Sequence, residues 1–360
     1  MSKITFRVVS DPKAGYYQLY RCLALASGLK ETDSSLEIVF LTNCQSACAQ
    51  LITNSGYMHV DPGQLSMISW DLETTENYIE EHGTDILIID NPLINEHYLS
   101  SLKEKVSLLV VIDDFMTLKI YDAHVVVNPN LYGHLLDYQY NNSTELLLGT
   151  EFSLLSSEFD KYQEFRHDTL DKAKHILIYF RGSDPKNASL LAVKALKIIQ
   201  GSFSAAIITG GDFEMGEELA REIGLDSRFI VLQESDIAKR LASSDLAITN
   251  QTIFCELLLL KIPTVLICDN DKHTMIADYA GKNGLALSLG SVESLDLPSS
   301  VKLLNNLICD KSERERMAAR MEDLVDGLGR FRLADEILRI YKAKKIIALN
   351  QSTQKELTNI

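Results

Sequence analysis

Short Val/Ile/Leu runs recur along the chain, and most lead into stretches where apolar residues return every three or four positions. The first pattern suits strands covered on both faces, and the second suits helices with one buried stripe. Strands are therefore expected at Ile4–Val9, Leu36–Leu41, Asp85–Ile89, Leu108–Ile112 and Ala123–Val127. Helices are expected between them, at about Tyr16–Leu29, Ala47–Asn54 and Asn95–Lys105. The pattern pauses from Asn128 to Arg166, where Pro129, Gly133, Asn141, Asn142 and Gly149 gather. It restarts with strands at His175–Phe180, Ala205–Thr209, Phe229–Leu232, Leu246–Thr249 and Thr264–Cys268. Helices at Asn187–Ile199, Glu214–Ile223, Asp236–Ala242, Ile253–Leu260 and Asp271–Lys282 alternate with these. Two long charged helices, Glu313–Asp326 and Leu333–Leu349, follow.

Repeated βα units imply open parallel sheets with helices on both faces, an α/β architecture. The pause divides the chain into an N-terminal α/β domain (1–150) and a C-terminal one (151–332), with a C-terminal helix in 333–360 that the sequence leaves free either to pack back on the first domain or not. Ligands of such sheets sit outside the carboxyl ends of the strands. Two facing sheets then put the site in a central cleft. The turns this nominates are Ser10–Gln18, Asp90, Asp113 with Asp114, Gly182–Asp184, Gly210–Gly211, Asn250–Glu256 and Asp269–His273.

Composition narrows the function classes. With 35 basic and 50 acidic residues the net charge is -15, which argues against general nucleic-acid or anionic-membrane binding. Residues 1–150 hold 8 basic and 19 acidic groups and residues 151–360 hold 27 and 31, so the second half is the better host for a phosphate-bearing ligand. No apolar run approaches the ~18 residues of a membrane span, and no signal peptide is visible. The six cysteines are scattered, with only Cys44 and Cys48 close together, and are expected to be reduced in a cytoplasmic protein. No metal constellation emerges, and no cofactor is expected. P-loop, complete G-x-G-x-x-G, G-x-S-x-G and H-E-x-x-H patterns do not occur.

Some of the nominated turns carry chemistry of their own. Phe180-Arg181-Gly182-Ser183-Asp184-Pro185 joins a strand to a helix, where backbone N–H groups beside a small residue suit an anion. Asp184 or Ser183 serves equally well there as a plain helix cap. Gln251, Thr252 and Glu256 open another helix, and Glu256 suits the two hydroxyls of a ribose or, alternatively, the helix dipole. Asp113 and Asp114 point to opposite faces of their strand and so form no dyad. Strand-end aspartates such as Asp90 are expected mainly to satisfy backbone N–H groups.

These segments, in order along most of the chain, resemble the family of the UDP-sugar hydrolase of pseudaminic acid biosynthesis. That family is related to spore-coat polysaccharide proteins and to MurG-type glycosyltransferases. The matching pieces include Phe6-Arg7-Val8, Gly15 with Arg21–Ala26, Asp85–Asp90, Val111–Phe115, Leu148-Gly149, Gly182–Pro185 with Asn187, Ser244–Ile248, Glu256, Asp269-Asn270 and Asp326–Gly329. The resemblance implies the GT-B fold, two Rossmann-like domains facing a central cleft. It also implies a UDP-sugar or UDP as ligand. Gly182, Ser183, Gln251, Thr252, Glu256 and Asn270 would hold the nucleotide, and Gly15, Tyr17, Arg21 and Asp90 would lie on the sugar side.

The departures from the family pattern fall at the site. Gln18 stands where the hydrolase has the histidine that activates water, and Tyr17 stands where it has a second glycine. Asp90-Asn91-Pro92 replaces D-x-Y, Arg181 replaces the first glycine of the phosphate loop, and Asn250–Ile253 replaces a G-G-S-T-like stretch. Glutamine is no general base, a role that typically contributes ~10²–10⁴-fold to rate. Asp11 in the same turn and His273 opposite are the substitute bases, so the catalytic candidates are Gln18, Asp11 and His273. Release of UDP from a UDP-linked 2,4-diacetamido-trideoxy sugar, in bacterial surface or flagellar glycan (nonulosonic acid) synthesis, is the expected function. The alternatives are glycosyl transfer to a sugar or protein acceptor, and silent nucleotide-sugar binding.

Overall fold

The computed structural model describes residues 2–9, 16–44, 46–63, 67–141, 143–165, 168–182, 184–210, 217–269 and 274–358, with side chains described through residue 350. The described residues form two units. Unit 1 draws on 1–10, 18–156 and 328–360, and unit 2 on 11–17 and 157–327.

Unit 1 is built on a parallel sheet of seven strands in the order β3-β2-β1-β4-β5-β6-β7. These are β1 (Lys3–Val8), β2 (Glu37–Leu41), β3 (Met58–Val60), β4 (Ile86–Asp90), β5 (Leu108–Ile112), β6 (Val125–Asn128) and β7 (Glu145–Leu148). The central strands β4, β5 and β6 are buried at every position, as runs without alternation require when helices cover both faces. Helices α1 (Tyr17–Thr32), α2 (Ser46–Asn54), α3 (Ile68–His82) and α4 (Glu96–Lys103) make the crossovers. Unit 2 repeats the plan with the order β10-β9-β8-β11-β12-β13. Its strands are β8 (His175–Tyr179), β9 (Ser204–Thr209), β10 (Phe229–Gln233), β11 (Leu246–Thr249), β12 (Thr264–Cys268) and β13 (Leu287–Ser291). Its helices are α5 (Ala188–Ile198), α6 (Glu217–Ile223), α7 (Ile237–Ala242), α8 (Phe254–Leu260), α9 (Thr274–Lys282), α10 (Leu297–Cys309) and α11 (Lys311–Arg320). In both sheets the strand order reverses beside the first strand of the unit, between β1 and β4 and between β8 and β11. Those two switch points are where such sheets bind ligands.

Helix α12 (Gly329–Thr358) belongs to unit 1. Leu333, Ala334, Ile337, Leu338 and Tyr341 recur three or four apart and are buried. The approach to α1 is close enough to require Gly28, where a Cβ would stand 2.5 Å from the Arg330 carbonyl oxygen. Tyr341 donates to Asp85 Oδ1 at 3.0 Å, tying the middle of α12 to the start of β4.

Five elements differ from expectation by being present at all. β3, β7 and β13 are short edge strands of three to five residues without a sustained apolar run. α10 begins with Pro298 in its first turn, tolerated there because that N–H is unpaired anyway, and Asp296 caps it through Ser299 N–H at 3.0 Å. α3 escaped notice because its buried face is partly polar, with Asp71 and Thr75 standing where apolar residues are looked for. The cysteine expectation is corrected as well. Cys44 and Cys48 are joined in a disulfide at the start of α2, their spacing bringing the Cα atoms to 5.7 Å, within bridging range. Cys22, Cys255, Cys268 and Cys309 carry no disulfide. No described helix is long and apolar enough to cross a membrane.

Candidate functional site

At the switch point of unit 1, Arg21 projects from the second turn of α1 onto the ends of β4 and β5. Its Nε and Nη2 meet Asp90 Oδ2 and Oδ1 at 2.6 and 2.7 Å, a side-on fork, and its Nη1 meets the two Asp114 oxygens at 2.7 and 2.9 Å. Both Arg21 and Asp90 are buried. Burial pushes the Asp90 carboxyl up, the Arg21 charge pulling against it, and pushes the neighbouring Cys22 thiol well up. The side chain of Asp90 thus has an arginine, rather than backbone N–H groups, as its partner. Asp113 turns the other way and accepts from Tyr121 OH at 2.7 Å, Tyr138 OH at 3.1 Å and Met116 N–H at 2.7 Å. Its nearness adds to the burial that raises both phenols.

A second buried network lies beside the first and was not foreseen. Arg7 Nε meets Asp71 Oδ1 at 2.7 Å, Tyr98 OH donates to the same oxygen at 3.1 Å, and Asn91 Nδ2 reaches Asp71 Oδ2 at 3.0 Å. Phe6-Arg7-Val8 and Asp90-Asn91 carried the signal, but its partner Asp71 is on the helix the apolar pattern hides. Gln18, in the first turn of α1, is half-buried, and among the described residues its side chain has no hydrogen-bond partner. Asp11 and Gly15 lie outside the described residues, as do Ser183, Asn270 and His273.

In unit 2 the β8–α5 loop is left-handed at Arg181 (φ 53°), Gly182 (φ 54°), Asp184 (φ 46°) and Asn187 (φ 55°). For a non-glycine residue that conformation costs about 1–2 kcal/mol. Gly210, after β9, comes backbone to backbone with this loop: its N–H donates to Gly182 C=O at 3.2 Å, and a Cβ there would stand 2.9 Å from that oxygen. Asp184 accepts from the Ala188 and Ser189 N–H groups at 2.9 and 2.8 Å. The first-turn donors of α5 are therefore already met by this chain's own carboxylate, which decides the cap-or-phosphate alternative for Asp184 in favour of the cap.

Arg181 sends its Nη2 to Glu256 Oε1 at 2.6 Å, from β8's end to α8, with both side chains only 9% exposed. Burial pushes Glu256 up against the pull of Arg181, and Glu158, also raised by burial, lies within the same field. The Tyr17 ring centroid stands 5.9 Å from the guanidinium. Glu234 accepts from Tyr179 OH at 2.6 Å. Gln251 and Thr252 belong to a side-chain stitch across the strand ends. Asn250 Nδ2 meets Asp269 Oδ1 at 3.1 Å, Gln251 Nε2 meets Asp269 Oδ2 at 3.3 Å, and Thr252 OH donates to Asn250 Oδ1 at 2.6 Å. Of the nominated residues, the structure brings together Arg21 with Asp90 in unit 1, and Gln251 with Thr252 in unit 2. Glu256 is joined by Arg181, which sequence singled out only as a departure. Among the described residues no three His, Cys, Asp or Glu side chains are grouped to hold a metal.

No protein-family profile matches the chain. An uncharacterized protein of Methanocaldococcus jannaschii, MJ1062, is 26% identical over 372 aligned positions, covering 99% of this chain and 71% of that protein. Among solved structures, MurG of Acinetobacter baumannii superposes with a TM-score of 0.62 at 14% identity over 94% of this chain and 99% of its own. The S. aureus MnaA–UDP complex gives 0.64 at 13% identity over 94% and 96%. UDP-GlcNAc 2-epimerase from Neisseria meningitidis, bound to UDP-GlcNAc, gives 0.58 at 12% over 94% and 99%. At such identities the likeness is one of architecture. With its two parallel, separately wound sheets, the chain has the GT-B fold of these enzymes.

Proposed function

We propose that the chain acts on a nucleotide sugar, with unit 2 holding a uridine diphosphate and the turn after β1 serving the sugar. The observation that carries this is the buried Arg181–Glu256 pair at the β8/β11 switch point, beside the close backbone packing of Gly210 on Gly182. A carboxylate at the start of the helix after β11 supports a ribose contact by Glu256. Structural neighbours solved with UDP and UDP-GlcNAc support the ligand class.

The reaction proposed is hydrolysis of a UDP-linked 2,4-diacetamido-trideoxy sugar in the synthesis of a surface glycan. Water adds to the anomeric carbon, the bond to the diphosphate oxygen breaks, and UDP leaves with its electron pair. The proton of that water goes to Asp11 or His273, since the Gln18 amide orients a hydroxyl without taking its proton. One observation favours a second reading, transfer to an acceptor hydroxyl: Gln18, with no described partner, is a better hydroxyl guide than a base.

Phosphorus NMR of the full chain with that UDP-sugar and no acceptor tests both. Catalytic release of UDP establishes hydrolysis. Line broadening without release moves the assignment to transfer or binding, and unperturbed spectra remove the nucleotide altogether. With Asp11 or His273 as the base, Gln18→His should leave turnover unchanged, whereas a gain of ~10²-fold or more would mean a hydrolase that had lost its base at position 18.

A further inference from the structure

The chain is acidic overall, yet residues 337–355 contain no acidic residue and hold Arg339, Lys342, Lys344, Lys345 and Lys355. Arg339 is engaged, at 2.7 Å from both Glu145 and Glu336. Among the described residues no carboxylate comes within ion-pair distance of Lys342, Lys344 or Lys345. Asp33 feels the field of Lys342, and Glu104 that of Lys344, without direct contact. Lys344 is half-buried, and burial, aided by the charge of Lys103, lowers its ammonium below the ordinary lysine range. The same two lysines add to the burial that pushes His124 down. Basic side chains gather here, in the unit that contains most of residues 1–150, the most acidic part of the chain.

Lys344 and Lys345 line a cavity of ≈ 350 Å³ at the amino ends of β4 and β5, together with Asp85, Ser107, Tyr341, Ile347 and Ala348. The Asp85 carboxylate is already taken by Tyr341 OH at 3.0 Å and Lys3 N–H at 2.9 Å. Beside the lysines, Ile346, Ile347 and Leu349 are 59%, 56% and 60% exposed. Lys342, Lys345, Ile346 and Leu349 fall three or four apart and share one helix face. Cations next to apolar side chains on one helix are the composition of an interfacial membrane contact. A second protein fits less well. Three aliphatic side chains fall far short of the ~1,000 Å² that a stable protein interface buries.

We propose that this end of α12 docks unit 1 onto an anionic lipid surface, the lysines meeting headgroup phosphates and the Ile/Leu side chains entering the acyl boundary. The inference is independent of the nucleotide reading, because the patch lies at the amino ends of the strands, away from the switch point. It also qualifies the expectation drawn from net charge, since a bilayer reads the local patch.

Flotation of the full chain with vesicles of phosphatidylcholine containing one-third phosphatidylglycerol is the test, with pure phosphatidylcholine as control. Binding to the anionic vesicles alone is expected. Replacing Lys342, Lys344 and Lys345 by alanine should weaken it about a hundredfold, at about fivefold per lysine. Ile346→Ser with Ile347→Ser should weaken it about tenfold. Salt near 1 M, where screening acts within ~3 Å, should release the wild-type protein without any mutation. Absence from anionic vesicles, equal binding to neutral ones, or an unaffected triple-lysine variant overturns the proposal. A dimer in solution that the isoleucine variants dissociate would also overturn it, giving the face to a second copy.

Discussion

The two switch points bury the same chemistry in different ways. In unit 1 one guanidinium serves two carboxylates with four short contacts, from a helical residue of ordinary backbone. In unit 2 one guanidinium reaches Glu256 at 2.6 Å, from a left-handed residue where glycine would be unstrained. The first arrangement is over-determined and fixes the ends of β4 and β5 to α1. The second is anchored on a strained backbone, and under the proposed function a ribose would compete with Arg181 for the Glu256 carboxylate. A buried pair at a switch point is thus no marker of a site by itself; what sets these two apart is the backbone beneath the arginine, helical at Arg21 and left-handed at Arg181.

The largest effect that would break this contrast is expected at Arg21. Arg21→Ala strands two carboxylates and should destabilise unit 1 by about 3–5 kcal/mol, read from urea unfolding. Arg181→Gly should cost less, about 1–3 kcal/mol, because relief of left-handed strain offsets part of the lost pair. Equal costs would erase the distinction.

Titration sharpens the comparison. Glu256 has a folded pKa above its unfolded value, so the native state binds the extra proton and stability falls as pH rises from the ordinary carboxylate range upward. Arg181→Gly removes the pull that holds it down, so the variant's deficit should be larger at about pH 8 than at about pH 5. His124 in unit 1 behaves oppositely. Its ring is pushed down to about 4, chiefly by burial, and accepts from Leu109 N–H at 2.8 Å. Its contribution is present at neutral pH and is lost as pH falls through about 6.5 towards 4. His124→Gln should flatten that acid limb, measured as unfolding midpoints across pH. The smallest effect is expected at Asp184, whose replacement by alanine removes a helix cap worth about 1 kcal/mol.

Strands such as Leu108–Ile112, Leu246–Thr249 and Thr264–Cys268 were legible to the residue, because a doubly buried parallel strand is an unbroken apolar run between turns. Edge strands β3, β7 and β13 were not, since none holds four consecutive apolar residues, whereas the edge strand β10 reads Phe-Ile-Val-Leu and was legible. α3 was invisible for a related reason. Its buried face answers Arg7 with Asp71 and Thr75, and a polar core is indistinguishable from a surface when its partner is 64 residues away.

Hydrophobic periodicity by itself determined that two α/β sheets would form, and with that which turns lie at the carboxyl ends of strands. Burial of apolar surface is set by local spacing, so it is written in the chain. The partners of those turns were decided only by the tertiary structure. Asp90 meets Arg21, Glu256 meets Arg181, Asp184 caps its own helix, and Cys44 bonds to Cys48. Hydrogen bonds and ion pairs are directional and short-ranged, and two of these four, Arg21 with Asp90 and Arg181 with Glu256, join residues many positions apart. Their formation depends on which strand ends the fold brings together.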